Sequence, residues 1–287
     1  ALSLGSVGLS VGYVIGSNVA NVLLVIGAAA LITPIITQPR ALARDGIFMV
    51  AVTILFAVLV YLDLFNRVTG IALTALLLAY LIGSVLLDRR ETSAAAEMHA
   101  GEAEEFDHDD PIWLALLLAV GGIVGVIIGA RFLVDGGAQA ARLIGVSETV
   151  IGISIVAIGT SLPELATAVI AARKGNADVA LGNVLGSNVF NILGILGISA
   201  IVYPFSVLNG GVVFSLDLPI AVEAMQYAGA LVTWTDIGAI ILSVFLLGLF
   251  AFTGKRIARW EGAILLAGYA LYMGLRFELI PTFGLGL

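Results

Sequence analysis

A carboxylate stands inside an apolar run at Ala157-Ile-Gly-Thr-Ser-Leu-Pro-Glu164. If the stretch 149–171 is a membrane helix, Glu164 lies roughly eight residues from its nearer end, about 12 Å deep at the helical rise. An ionised acid at that depth costs several kcal/mol unless it is paired or solvated. Pro163 lacks an N–H and clashes with the turn before it, which predicts freed carbonyls around Gly159 and Thr160. Thr160 and Ser161 add hydroxyls at the same place. Carboxylate, hydroxyls and unpaired carbonyls together make a hard-oxygen cage, suited to Na⁺ or Ca²⁺ and poor for soft metals. The competing reading is a proline kink whose Ser and Thr re-satisfy the backbone, and it leaves Glu164 unexplained.

Two more polar clusters interrupt apolar sequence, and they are copies of each other. The segment Gly12–Gly27 returns as Gly182–Gly197, and the match runs on from Ala30 and Pro34 to Ala200 and Pro204 without a gap. Ser17, Asn18 and Asn21 therefore stand at the same offsets as Ser187, Asn188 and Asn191. Serine and the second asparagine are four apart and share a helix face. An asparagine carbonyl can ligate a cation without adding charge, so Asn21 and Asn191 read as ligands. The alternative is that Gly, Ser and Asn serve close helix packing. A duplicated unit of this kind in a membrane protein points to a transport site between two related halves.

The elements that must carry these residues follow from composition. The chain is 60% hydrophobic and 11% charged, more apolar surface than a water-soluble core can absorb. Apolar runs near 11–36, 45–63, 68–87, 111–134, 149–171, 179–204, 235–253 and 259–278 are long enough to cross a bilayer. They are too long for barrel strands and lack alternation, so helices are expected. Gly121, Gly125 and Gly129 share one face of 111–134, which predicts close packing there. Without cysteine there are no thiolate metal sites, and a net charge of -7 offers no basic footprint for nucleic acid. Both histidines, His99 and His108, lie in the acidic stretch 88–110, which argues against a buried histidine proton relay. No Ser–His or aspartate pair in the spans offers a nucleophile and base, so the chain does not read as an enzyme.

Loop charges choose a topology. Eight spans place Arg40, Arg44, Arg89, Arg90, Arg173, Lys174, Lys255, Arg256 and Arg259 on one side and Arg67, Arg131, Arg142 and Arg276 on the other. The richer side should be cytoplasmic. A further crossing within 205–234 would undo that bias, so this segment is expected outside the cytoplasm, as a surface or re-entrant piece. The division is then 1–87 for the remainder of a first half, 88–110 for an acidic cytoplasmic linker and 111–287 for a second half. The linker reads as a solvated, flexible loop, with a regulatory cation site there as the alternative.

At these residues the chain resembles a known family. Gly-Thr-Ser-Leu-Pro-Glu at 159–164, followed by Gly-Asn-Val-Leu-Gly-Ser-Asn-Val-Phe-Asn at 182–191, is similar to the second α-repeat of the sodium/calcium exchanger family. Gly16-Ser-Asn-Val-Ala-Asn21 resembles the closing half of the first repeat, and Phe132-Leu-Val-Asp-Gly136 and Val150-Ile-Gly152 resemble the approach to the second. The resemblance implies an all-α membrane protein with the inverted-repeat exchanger fold, about eight transmembrane helices being present of an expected ten. It implies a multi-pass protein of the cell membrane that exchanges Na⁺ for Ca²⁺ by alternating access, with no cofactor beyond the transported ions. By motif match Glu164 is a principal carboxylate ligand. Ala157 and Thr160 offer carbonyls, Ser161, Ser187 and Asn191 complete that half-site, and Ser17 and Asn21 serve the other half. The helix 111–134 corresponds to a gating helix that slides over a four-helix core.

Two departures accompany the resemblance. The repeat register sets the counterpart of 159–164 upstream of residue 1, so the chain is expected to lack the first half of the first α-repeat, with two helices and a second glutamate. Asn191 stands where some members have aspartate, which lowers the site charge and shifts the balance among Na⁺, Ca²⁺ and H⁺ coupling. The Gly-Asn-x-x-Glu pattern of proton-coupled relatives is absent, which favours Na⁺. The competing functions are a proton-coupled Ca²⁺ exchanger, a passive cation channel and an inactive truncated exchanger.

Overall fold

Each apolar run becomes a helix because a lone segment in lipid can satisfy its backbone only within itself. The computed structural model describes residues 7–37, 42–103, 112–143, 159, 161–175, 177–205, 207, 233–254 and 256–276. Among the described residues there are eight helical rods. Rod α1 is α-helical over Val7–Ala20, π-helical over Asn21–Ile26 and α-helical again over Gly27–Ile32. Rod α2 joins a π turn, Leu42–Gly46, to Ile47–Tyr61; α3 is Arg67–Ala103, α4 is Ile112–Leu143 and α5 is Leu162–Arg173. Rod α6 repeats the design of α1, with Ala177–Phe190, a π segment Asn191–Leu196 and Gly197–Val202. Rods α7, Trp234–Thr253, and α8, Arg259–Arg276, close the order. Six rods contain stretches long and apolar enough to cross a membrane, namely Val11–Ile32, Arg44–Tyr61, Arg67–Leu86, Val120–Ala140, Val179–Val202 and Trp234–Thr253.

Local sequence explains where the rods stop and start. Pro34 and Pro204 hold equivalent places after α1 and α6. A residue before proline is pushed to extended backbone, and Thr33 (φ -141) and Tyr203 (φ -135) both comply, ending the rods. Rod α7 opens on a capping box, in which the Thr233 side chain takes the backbone N–H of Asp236 and the Asp236 side chain takes that of Thr233. Between α2 and α3, Asp63 adopts φ 54, a left-handed conformation that aspartate tolerates.

The core is built around α1 and α6. The most apolar stretches of these two rods are 72% and 67% buried, against 17% for α3 and 0% for α4. The two halves are stitched reciprocally. Strand β1 (Ile35–Ile36), just after α1, pairs antiparallel with β2 (Arg256–Ile257), in the turn between α7 and α8. Phe205, just after α6, donates its N–H to the Phe65 carbonyl at 2.9 Å in the turn between α2 and α3, and the two rings stack 4.8 Å apart. The same exchange recurs in the rods. Gly27 of α1 lies against Gly262 of α8, and Gly197 of α6 lies against Gly70 of α3, with backbone facing backbone. Within each half an equivalent polar pair ties neighbouring rods: Tyr80 donates to Asp45 at 3.2 Å, and Tyr272 to Asp236 at 3.0 Å. Asp236 also pairs with Arg276 at 3.2 Å.

Three sequence expectations change. The stretch 88–110 is not simply a loop, since α3 continues through Ala103. Its Ala, Glu, Arg and Met content supplies helix formers that let the rod extend past its apolar part; residues 104–110 lie outside the described residues. Among the described residues the glycines of α4 meet no neighbour: a Cβ at Gly121, Gly125 or Gly129 would have none of their atoms within 4 Å. Rod α4 instead turns Trp113, Leu117, Leu118, Val124, Ile128 and Phe132 outward, as a peripheral helix in lipid would. Third, Pro163 sits in the first turn of α5 rather than in a helix interior, where its missing N–H costs nothing. The outer segment expected at 205–234 falls mostly on 208–232, outside the described residues.

Candidate functional site

The asparagine segments of α1 and α6 cross at the middle of the core. Asn18 and Asn188 are each 1% exposed and exchange bonds at the crossing. The Asn18 amide donates to the Asn188 backbone carbonyl at 3.3 Å, and the Asn188 amide to that of Asn18 at 3.4 Å. Asn21 donates to Ser187 Oγ at 2.9 Å and to Asn188 Oδ1 at 3.0 Å. Asn191 donates to Ser17 Oγ at 3.1 Å and to Asn18 Oδ1 at 2.9 Å. Later residues on one rod thus meet earlier residues on the other, so the two segments run antiparallel where they touch. Both serines donate backwards, Ser17 to the Val14 carbonyl and Ser187 to the Val184 carbonyl, at 3.3 Å each.

Each asparagine rod turns π-helical at its second asparagine, Asn21 in α1 and Asn191 in α6. Single π turns inside α-helices are frequent at functional sites. Here the wider turn begins at the residue read as a ligand, in the same register of both repeats. The first segment of each rod packs against the π segment of the other.

Rod α5 brings the acid. It packs against the π turn and last segment of α1, against the first segment of α6 and against α4. Ser161 is its N-cap and Glu164 falls in its first turn. An N-cap serine normally spends its hydroxyl on an orphan N–H of the helix, but Ser161 makes no such bond. Among the described residues its Oγ is buried without a hydrogen-bond partner, and so are Glu164 Oε2 and Asn21 Oδ1. Buried polar atoms are rarely left so, and all three are oxygens that can face a cation. The first turn of a helix also favours negative charge through its exposed N–H groups.

Of the residues singled out from the sequence, Ser17 (4% exposed), Asn21 (1%), Asn191 (8%) and Ser161 (1%) are buried, while Ser187 and Glu164 are partly so. Ser17, Asn21, Ser187 and Asn191 belong to one hydrogen-bonded cluster, and α5 sets Ser161 and Glu164 beside α1 and α6. Ala157 and Thr160 lie outside the described residues. Asn18 and Asn188 were visible in the repeat without a role of their own; their central position needed the crossing to be seen. Among the described residues no three His, Asp or Glu side chains cluster to hold a metal ion. Neutral oxygens around one carboxylate are therefore what these residues offer.

Comparison with known proteins finds relatives over most of the chain. The family model described as sodium/calcium exchanger protein matches residues 1–86 and 114–278. The sodium/calcium exchanger MaX1 of Methanosarcina acetivorans is 31% identical over 306 residues, covering 94% of this chain and 80% of that protein. An uncharacterized membrane protein of Methanocaldococcus jannaschii is 32% identical over 265 residues, covering 92% of this chain and 75% of that protein. A solved structure of the sodium-calcium exchanger NCX_Mj superposes with a TM-score of 0.68 at 30% identity, covering 93% of this chain and 76% of that one.

Proposed function

The chain belongs to the sodium/calcium exchanger family, and from that premise we propose how its own residues exchange Na⁺ for Ca²⁺ across the membrane. The ions share one oxygen shell. Glu164 supplies the charge, Asn21 and Asn191 supply amide carbonyls, and Ser17, Ser187 and Ser161 supply hydroxyls. The carbonyls of Ala157 and Thr160 join them by motif match. The observation that carries this reading is the trio of buried, partnerless oxygens at Asn21, Ser161 and Glu164, contributed by both repeat units. Leaving such groups unpaired in a protein interior costs about 1–3 kcal/mol each, more for a charge. A bound cation removes that cost, and a bare one would not cross lipid without such a shell.

Counter-transport requires that the same shell face each side in turn. The interlocked α1–α6 core suits the fixed part, and the peripheral α4, which touches α5 and whose glycines meet none of the described residues, suits the part that slides. Both ions compete for one set of oxygens, so occupation by one expels the other.

The direct test is uptake of radiolabelled Ca²⁺ into Na⁺-loaded proteoliposomes, with Glu164→Gln alongside. Uptake should require internal Na⁺ and be nearly lost in the variant. Uptake indifferent to internal Na⁺ would point instead to a channel or to proton coupling, and a fully active Glu164→Gln would remove the carboxylate from the site.

A further inference from the structure

An asparagine is a cation ligand only if its oxygen, not its NH₂, faces the ion. The two ends have nearly the same shape, so something must choose between them. At the crossing of α1 and α6 the choice is forced by a relay that starts at backbone. The carbonyls of Asn18 and Asn188 can only accept, so the amide nitrogen of Asn188 must face one and that of Asn18 the other. Each planar amide then turns its Oδ1 the opposite way. Asn18 Oδ1 meets Asn191, and Asn188 Oδ1 meets Asn21, so both of those residues must present nitrogen there. The serine hydroxyls agree, because each donates backwards to a main-chain carbonyl and is left to accept from an asparagine. The outcome is visible at Asn21, whose Oδ1 is buried and has no partner among the described residues.

We propose that Asn18 and Asn188, whose own amide atoms are committed to protein partners, are positioning residues that hold the carbonyl oxygens of Asn191 and Asn21 toward the ion. Reversing Asn191 would set its oxygen against the oxygens of Ser17 and Asn18 and turn an NH₂ on the cation. The proposal rests on the ion-site reading above and extends it to two residues that do not touch the ion.

The test is a double-mutant cycle in proteoliposomes, reading the KM for Ca²⁺ and the maximal rate, with thermal unfolding as a fold check. Asn18→Leu removes the acceptor that orients Asn191 and should raise the KM for Ca²⁺ about tenfold, with a smaller effect on the maximal rate. In an Asn191→Asp background there is no NH₂ end to misplace, so Asn18→Leu should change the KM less than about twofold. The mirror pair, Asn188→Leu with and without Asn21→Asp, should behave alike. If Asn18→Leu fails to fold alone but folds beside Asn191→Asp, the orienting role is also supported. Equal losses in both backgrounds, or failure to fold in both, make Asn18 a packing residue and overturn the proposal. Glu164→Gln keeps the two readings apart: full activity there discards the ion site, whereas its loss together with equal Asn18→Leu losses discards only the orienting role.

Discussion

The reciprocal glycine contacts make a quantitative demand on the fold. A Cβ built on Gly70 would lie 2.7 Å from the Gly197 carbonyl oxygen and 2.7 Å from the Ile201 nitrogen, with the Ala200 carbonyl carbon at 3.0 Å. All three are backbone atoms of α6, so no side chain can swing away and the rods must part. Overpacking of this kind costs about 1–3 kcal/mol, offset by roughly 1 kcal/mol that alanine gains over glycine in a helix. Gly83 lies on the same rod with nothing within 4 Å of its Cβ, so Gly83→Ala should collect the helix gain alone. Gly70→Ala should therefore fall about 2 kcal/mol below Gly83→Ala, a separation of several degrees in Tm. Thermal unfolding of the two variants in one detergent measures it. The mirror position checks the symmetry, since a Cβ on Gly262 would meet the Gly27 carbonyl at 2.8 Å. If Gly70→Ala and Gly83→Ala melt together, the close approach of α3 and α6 is not what holds the halves, and the reciprocal packing argument fails.

The site itself makes other demands. Ser161→Ala should leave Tm unchanged, because the hydroxyl has no partner to lose among the described residues, while raising the KM for Ca²⁺ about tenfold in proteoliposome uptake. Saturating Ca²⁺ should stabilise the native protein by about 2.7 kcal/mol at a hundred times its Kd, and Glu164→Gln should abolish that Ca²⁺-dependent shift in a melting assay. Asp236→Ala should cost about 2–4 kcal/mol in thermal or chemical unfolding, since it removes the α7 cap, the acceptor for Tyr272 and the partner of Arg276 together.

What the sequence made legible was whatever is local or repeated. Six of the eight expected spans are helices long and apolar enough to cross a membrane among the described residues, because apolar length is a property of one segment; 259–278 forms the shorter rod α8, and most of 149–161 lies outside the described residues. The clustering of Ser17, Asn21, Ser187 and Asn191 followed from a duplication that any reader can align. What escaped depends on contacts between rods. Nothing in Asn-Val-Leu-Leu-Val-Ile marks it as π-helical, since its residues would sit as well in an α-helix. Gly27 and Gly197 match within the repeat, and their partners Gly262 and Gly70 match too, in Arg259-Trp-Glu-Gly262 and Arg67-Val-Thr-Gly70, but which glycine meets which is decided only when the rods pack. The glycines of α4 misled for the opposite reason: small residues on one face permit close packing without requiring it. An apolar run carries no sign of where a rod begins, so the sequence sets Pro163 in a helix interior, whereas the rod starts from Ser161.

The bond between Asn18 and Asn188 joins residues 170 apart in the chain. At about 5–20 residues per second of synthesis, the first asparagine waits on the order of ten to thirty seconds for the second to be made. Through that interval the nascent rod α1 holds unpaired amides in or near lipid, with its Gly27 groove and β1 edge equally bare. Biogenesis of this protein therefore calls for shelter from the insertion machinery until the later rods arrive, and the same delay offers each newborn copy a chance to seize the wrong partner from a neighbouring chain.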